Sequence, residues 1–487
     1  MLFHSVDYLL FLPVVALAFR IIPQHFRWIL ILGASYFFYA SWRIDFSLLL
    51  AFSCIADYVI GHLIFKTDHP KKRKLLLYSS LCINLGLLCY FKYVAFGWLL
   101  FGTVATHTGL IQSFTPLDII LPLGISFYTF QTLSYTIDIY KRRAKPEPHL
   151  GYFACYVTYF PQLLAGPIER ANKLIPQLKN PAPCTLAMAH TAMGLLLLGY
   201  FKKLVMADRL NLFTQSIRMS PDLSTPLQVV LTPIATIYQY YCDFSGYADL
   251  AVGSALLMGI YLTPNFRRPF ASTLMTQLWF RWHITATIWF RDYLLVPLSG
   301  RKGRSFARRA TAQLLTGVFI GLWHGASVGW LITGIVIGAL AIFEGLVKKY
   351  VRTNHIEIKS RIYGRCKKLV LHIYVLFCFM FIIGVFVSYD SMITLPAALA
   401  KIGTFSLADL HYTSWMQSLE SFGFYNAIIL GVSIIGLEIW QWAYNTPEIH
   451  KKEDCFKLTH YIGYMGLAFA ILMLGVQSRP DFIYFQF

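Results

Sequence analysis

The chain has 487 residues, of which 57% are hydrophobic and only 13% charged, with a net formal charge of +19 and a mean hydropathy of +0.55. Soluble domains carry about 25% charged residues, so the composition excludes an ordinary soluble enzyme. Several apolar runs approach the ~20 residues that cross a bilayer as a helix. The basic excess lies in short stretches between those runs, where it sets membrane orientation, and is not read as a nucleic-acid surface.

The first apolar segment, Val6–Ile22, contains Pro13 and reads as a retained helix, because it has neither a basic leader nor a small-residue cleavage site. Trp28–Tyr39 and Phe46–Phe65 follow, the latter with Asp57 in mid-span, expected to pair with a neighbouring helix. Lys66 and Lys71–Lys74 form a basic loop. Leu75–Leu100, interrupted by Lys92, leads to Thr103–Pro116, which has no Lys or Arg, and Ile119–Tyr140 leads to Lys141–Lys145. The positive-inside rule puts both basic stretches in the cytoplasm and the N-terminus outside.

The middle is less regular. Gly151–Ile168 contains Tyr159-Phe160-Pro161-Gln162 and Ala165-Gly166-Pro167, so a broken or re-entrant helix is expected. Leu186–Tyr200 could cross, with Lys202 and Lys203 snorkelling or pairing with Asp208. Leu227–Tyr241 runs into Asp243 and Asp249, carboxylates among apolar neighbours that need partners; Arg281 and Arg291 are candidates. Ser272–Gly300 reads as one amphipathic interfacial helix, with Trp279, His283, Thr287 and Arg291 on one face and Trp282, Ala286 and Trp289 on the next. Arg267, Arg268, Arg301, Lys302, Arg304, Arg308 and Arg309 flank it, either setting topology or holding a phosphate-bearing donor.

Between Thr311 and Phe343 there is no Lys, Arg, Asp or Glu, yet His324 sits there in Gly321-Leu322-Trp323-His324-Gly325-Ala326-Ser327. An intramembrane imidazole is costly and usually functional. The small residues around it suggest room for a slender ligand. After Lys348–Lys368, three further crossings are expected over Leu369–Tyr389, Phe422–Trp442 and His460–Val476, with Asp390–Ser421 outside and Asn445–Lys457 inside. The result is an all-α polytopic membrane protein of about ten to eleven transmembrane helices plus re-entrant and interfacial pieces. It reads as a single domain in three stretches, 1–150, 151–347 and 348–487. The nine cysteines contain no C-x-x-C pair, and there is no H-E-x-x-H, phosphate loop or G-x-S-x-G elbow. No metal site is expected. The two histidines, His283 and His324, remain as candidate bases for removing a proton from an attacking hydroxyl.

These residues resemble a known family. Tyr241-Cys242-Asp243-Phe244-Ser245-Gly246-Tyr247-Ala248-Asp249 is similar to the D-F-S-G-Y-x-D block of membrane-bound O-acyltransferases. Arg281-Trp282-His283-Ile284 with Trp289-Phe290-Arg291-Asp292-Tyr293-Leu294 and Pro297-Leu298 looks like their R-W-H-x-S…W-x-R-D-Y block, with Thr285 where Ser is usual. Gly321–Ala326 matches the segment of the family's tunnel histidine, and Phe160–Leu163 with Ala165–Ile168 matches its re-entrant segment. Leu121–Phe127 and Phe482–Phe487 resemble the alginate O-acetyltransferase (AlgI-type) branch.

The resemblance implies a helical core around a tunnel in a bacterial inner membrane. An acetyl group would pass from a cytoplasmic thioester, acetyl-CoA, toward hydroxyls of a cell-surface glycan, with an exported SGNH-type partner and no bound cofactor. It casts His324 as base or acyl relay and His283 as the second histidine. Trp279, Trp282, Trp323, Gly325 and Ser327 would line the donor path, and Asp243, Asp249, Arg281, Arg291 and Asp292 would form a supporting shell. D-alanyl transfer to teichoic acid, as in DltB-type proteins, is the alternative within the family, and a glycan-precursor transporter the one outside it.

Overall fold

The computed structural model describes residues 1–300, 305–353, 361–443 and 458–476. Among these residues the regular structure is helical throughout. Five helices among the described residues are long and apolar enough to cross a membrane: Ile44–Lys66, Pro70–His107, Val328–Val351, Cys366–Ser388 and Phe424–Trp442. Arg301, Lys302 and Arg304, the segment Asn445–Lys457 expected inside, and the terminal Phe482–Phe487 lie outside the described residues.

The chain forms two compact units, Met1–Leu196 with Tyr247–Pro264, and Leu197–Gly246 with Asn265–Phe487. The first contains α1 (Val6–Ile21), α2 (Arg27–Ala40), α3 (Ile44–Lys66) and α4 (Pro70–His107), then α5 (Ile125–Tyr140). Lys71–Lys74 are not a loop: Pro70 fits the first turn of α4, where its missing N–H has no partner to lose, and the basic cluster rides on that turn. Lys92 does not break α4, which buries it in a continuous helix.

The proline-rich middle is broken, as its composition requires. α6 (Leu150–Thr158) ends at Tyr159, and Pro161 opens the short α7 (Phe160–Leu163). The backbone freed at the break is satisfied by side chains: Ser35 Oγ accepts from Phe160 N at 3.1 Å, and Gln162 Nε2 donates to Tyr156 O at 2.8 Å. Gly124 starts α5 at φ +75°, and a Cβ there would lie 2.3 Å from Leu163 O. The Leu121–Phe127 and Phe160–Ile168 segments are therefore one contact, and glycine is what lets the backbones meet. α8 (Ala171–Lys179) and the start of α9 (Leu186–Tyr200) complete this unit with the end of α11 (Pro226–Leu257).

In the second unit a π-helical turn, Phe201–Ala207, follows α9 and leads into α10 (Asp208–Met219). Ser272–Gly300 is not one helix. It contains α12 (Met275–Trp279), an irregular turn, α13 (Ile284–Phe290), a π-helical turn over Arg291–Leu295 and α14 (Val296–Ser299). The Trp279–His283–Thr287–Arg291 stripe is therefore interrupted at His283. A hairpin of α15 (Phe306–His324) and α16 (Val328–Thr353) follows. After α17 (Arg361–Leu376), a π-helical turn and α18 (Gly384–Ser388) come α19 (Thr394–Gly403), α20 (Tyr412–Phe422), α21 (Phe424–Ala443) and α22 (Leu458–Leu474). The core of this unit joins Tyr238, Tyr241, Trp282, Trp330 and Phe379 to Val205, Leu278 and Ile337.

Candidate active site

The α15–α16 hairpin brings His324 to its position. Its two helices approach through opposed small residues, spaced as in a G-x-x-x-G pair on each strand of the hairpin. A Cβ at Gly317 would lie 2.4 Å from Gly334 O, one at Gly321 2.2 Å from Trp330 O, and one at Gly338 2.7 Å from Leu314 Cα. Only glycine allows this closeness, which gives α15 a fixed register against α16. His324 is the last residue of α15, half-buried, and Gly325 N closes the helix on Gly321 O at 3.1 Å.

The side of these glycines that faces the second helix of the hairpin is occupied by protein. It is filled by α16: a Cβ at Gly325 would meet Trp330 Cδ1 at 2.0 Å. Trp330 in turn stacks on His324, with ring centroids 5.1 Å apart and planes at 18°. Ser327 caps α16, accepting from Trp330 N at 3.3 Å, and its hydroxyl also bonds Asp390. Asp390 O accepts from Gly329 N at 3.1 Å, so the end of α18 is tied to the hairpin tip.

His283 is held differently. It sits between α12 and α13 in a left-handed conformation, φ 44° and ψ 54°, which non-glycine residues adopt at a cost of about 1–2 kcal/mol. Asn265 over-determines that turn. Its carbonyl accepts from Ile284 N at 2.9 Å, and its Oδ1 accepts from Thr285 N at 3.1 Å and from Thr285 Oγ1 at 2.7 Å. Thr285 thus supplies the hydroxyl that a serine would, so the departure from the family pattern is chemically silent. The His283 ring is buried against the edge of Phe244, 4.6 Å away, and lies outside the five long spans; burial pushes its pKa down to about 3. The imidazole is therefore neutral throughout the physiological range and a weak proton acceptor, which suits an orienting role better than that of a base.

Trp323 joins the two histidines. Its indole is 5.7 Å from His283 and 4.8 Å from His324, and Phe290 closes on it at 5.9 Å. Trp282 packs among Tyr241, Phe266 and Phe379, while Trp279 meets Phe379 at 5.6 Å.

The acidic residues have other partners than those expected. Asp243 pairs with Lys203 at 3.0 Å, not with Arg281 or Arg291. Lys203 also pairs with Asp208 at 2.9 Å, the pairing its position suggested, and all three side chains are at most 3% exposed. Asp243 precedes Phe244, the ring against His283, so this cluster anchors one wall of the site. Lys202 lies over the Tyr241 ring at 5.8 Å. Arg291 is exposed and bonds its neighbour Asp292 at 2.8 Å, and Arg281 contributes a backbone carbonyl to Arg267 N. Asp249 lies past Gly246 on α11, half-buried, in the first unit. Among the described residues no group of three or more His, Cys, Asp or Glu is placed to hold a metal. Asn265 and Asp390 carried no motif signal in the sequence; only proximity identifies them.

Residues 140–392 match the model of MBOAT, the membrane-bound O-acyltransferase family. The chain is a member of that family. It is 37% identical over 336 residues to a protein named probable alginate O-acetylase AlgI from Pseudomonas aeruginosa, covering 69% of this chain and 64% of that relative. It is 32% identical over 368 residues to the peptidoglycan O-acetyltransferase of Helicobacter pylori, covering 67% of each. It is 26% identical over 251 residues to the teichoic acid D-alanyltransferase of Bacillus subtilis, covering 48% of this chain and 62% of the relative. The matched region thus spans roughly two thirds of the alginate relative's length. Family membership removes the transporter reading, and the matched stretch contains both histidines, the aromatic set and the Asp243 cluster.

Proposed function

We propose that this protein is a membrane O-acetyltransferase that moves an acetyl group from a cytoplasmic thioester, acetyl-CoA, toward hydroxyls of an extracytoplasmic polysaccharide or peptidoglycan. The observation that carries the reading is the pair of imidazoles joined by the Trp323 indole, in the segments that match acyltransferase relatives. In the transfer the acceptor oxygen attacks the thioester carbonyl, the C–S bond breaks and a C–O ester bond forms. His324 takes the hydroxyl proton and returns it to the leaving thiolate, or receives the acetyl group and relays it. His283, neutral and fixed by Asn265, orients the donor. Trp279, Trp282, Trp323, Gly325 and Ser327 shape the donor path. Asp243, Asp249, Arg281, Arg291 and Asp292 support it, Asp243 through Lys203.

On this reading the chain resides in a bacterial inner membrane with its N-terminus outside. The shorter helices raise the crossings to about ten to eleven. An exported SGNH-type partner would then complete the last step on the cell-surface glycan.

Base-labile acyl groups released from the cell-surface polymer fraction test this, compared by mass spectrometry between wild type, a deletion and His324→Ala at matched membrane levels. Loss of acetate in the deletion and in His324→Ala is the expected result. Loss of alanine instead moves the protein to the D-alanyl branch, as the teichoic acid relative would suggest. Wild-type acetate in His324→Ala refutes the role of the imidazole.

A further inference from the structure

The first unit contains a carboxylate that the acyl-transfer reading does not use. Asp57 lies mid-way along α3, 1% exposed, in a helix long and apolar enough to cross the membrane. Ser80 Oγ of α4 donates to its Oδ1 at 2.6 Å, and Asn84 Nδ2 of α4 donates to its Oδ2 at 2.7 Å. The network continues outward: Asn84 Oδ1 accepts from Thr132 Oγ1 of α5 at 2.9 Å and from Ser53 Oγ at 3.5 Å, and Ser80 Oγ lies 3.1 Å from Thr136 Oγ1. Every one of these side chains is at most 1% exposed.

The network is hydrogen-bonded but carries an uncompensated charge. Glu147, Asp208 and Asp243, the other buried carboxylates with ion-pair partners at close range, each have a lysine ammonium within 3.0 Å. Among the described residues no Lys, Arg or His is within ion-pair distance of Asp57. The groups that α4 and α5 turn toward it are neutral, and the titratable neighbour on its own helix is the Cys54 thiol, faced by Cys155 of α6. The charged residues flanking these positions along α4 and α5 are Lys74, Lys92 and Asp138. Neutral donors orient a carboxylate but do not cancel its charge, and an uncancelled charge in a low-dielectric interior is not sustained.

We propose that Asp57 and its shell form a binding site for a monovalent cation, H⁺ or Na⁺, that neutralises the carboxylate inside the membrane. The hydrogen-bond pattern suits the proton, and the oxygen-rich shell offers the donor type that Na⁺ takes. The single Ser80 hydrogen cannot serve Asp57 and Thr136 together, and a proton on Asp57 Oδ1 resolves this, with Asp57 donating to Ser80 and Ser80 to Thr136. Na⁺ would find hard oxygen ligands in the carboxylate, the Asn84 carbonyl and the hydroxyls of Ser53, Ser80, Thr132 and Thr136. In either form the packing of α3, α4 and α5 is linked to cation occupancy, independently of the acyl-transfer site.

The test compares thermal stability of full-length wild type and Asp57→Asn in lipid nanodiscs. Na⁺ is exchanged for choline at constant ionic strength, and pH is varied from mildly acidic to mildly alkaline without Na⁺. A wild-type unfolding temperature that rises with Na⁺, but not in Asp57→Asn, identifies Na⁺. One that falls as pH rises, with the dependence reduced in Asp57→Asn, identifies the proton. Identical responses of the two proteins to both variables overturn the proposal. Should Asp57→Asn not fold, wild type alone decides: stoichiometric ²²Na⁺ binding, or a deuterium-sensitive carboxylic acid C=O stretch in the infrared, supports the site, and the lack of both refutes it.

Discussion

Replacing Lys203 by Met should be among the most damaging single changes in the second unit, and the structure gives the size and the order of the effects. The ammonium is shared by Asp208 and Asp243 at 2.9 and 3.0 Å, and the three side chains are 1–3% exposed. Removing the cation leaves two carboxylates buried without it, and breaking a buried pair in this way costs about 3–5 kcal/mol. Asp208→Asn or Asp243→Asn leaves a one-to-one pair and removes a like-charge neighbour, so each should cost about 1–3 kcal/mol, the value of a charge-assisted hydrogen bond. The readout is the fraction of detergent-solubilised protein that stays monodisperse after heating. Lys203→Met should lower the midpoint by roughly 5–15 °C, and each acid variant by clearly less. The triple variant Lys203→Met, Asp208→Asn, Asp243→Asn should recover part of the loss, because none of the three charges of this cluster remains. If Lys203→Met is no worse than the single acid variants, or the triple variant is the least stable of all, the charge argument is wrong.

Gly321→Ala should abolish folded protein or activity, because its Cβ would lie 2.2 Å from Trp330 O and 2.8 Å from Gly334 N; membrane levels and acetate release report the two effects separately. Thr285→Val should destabilise by about 1 kcal/mol by removing the bond to Asn265 Oδ1, whereas Thr285→Ser should match wild type in a thermal shift assay. His283→Val, which puts a Cβ-branched residue at φ 44°, should be less stable than His283→Asn, although both lose the imidazole; heating midpoints show the difference. With a folded pKa of about 3 and an unfolded value near 6.5, His283 makes the unfolded state bind more protons below pH 6.5. Its contribution is therefore full above about pH 6.5 and falls by about 1.4 kcal/mol per pH unit as pH drops toward 3. Wild type should lose this increment between about pH 6.5 and 4.5 relative to His283→Asn; a parallel pH dependence of the two would refute the burial argument.

Much of this protein was legible in its sequence because the bilayer simplifies the problem. Apolar runs without charge must be helices, since only a helix satisfies its own backbone in lipid. The helices α2, α3, α21 and α22 accordingly fall within a few residues of where hydropathy put them. Prolines located the break between α6 and α7 for the same local reason, and the contiguous motifs around Asp243, His283 and His324 named the family. The tertiary structure decided what depends on partners distant in the chain. Periodicity gave Ser272–Gly300 as one helix, but the left-handed turn at His283 is sustained by Asn265, which lies outside that segment and has no periodic signal. Composition gave space around the hairpin glycines, but a missing side chain does not say whether a ligand or another helix takes its place; Trp330 and Gly334 do. The sequence offered Arg281 and Arg291 as candidate partners for Asp243, whereas the fold gives it Lys203, because ion pairs are chosen by distance in space and the sequence records only which charges need one.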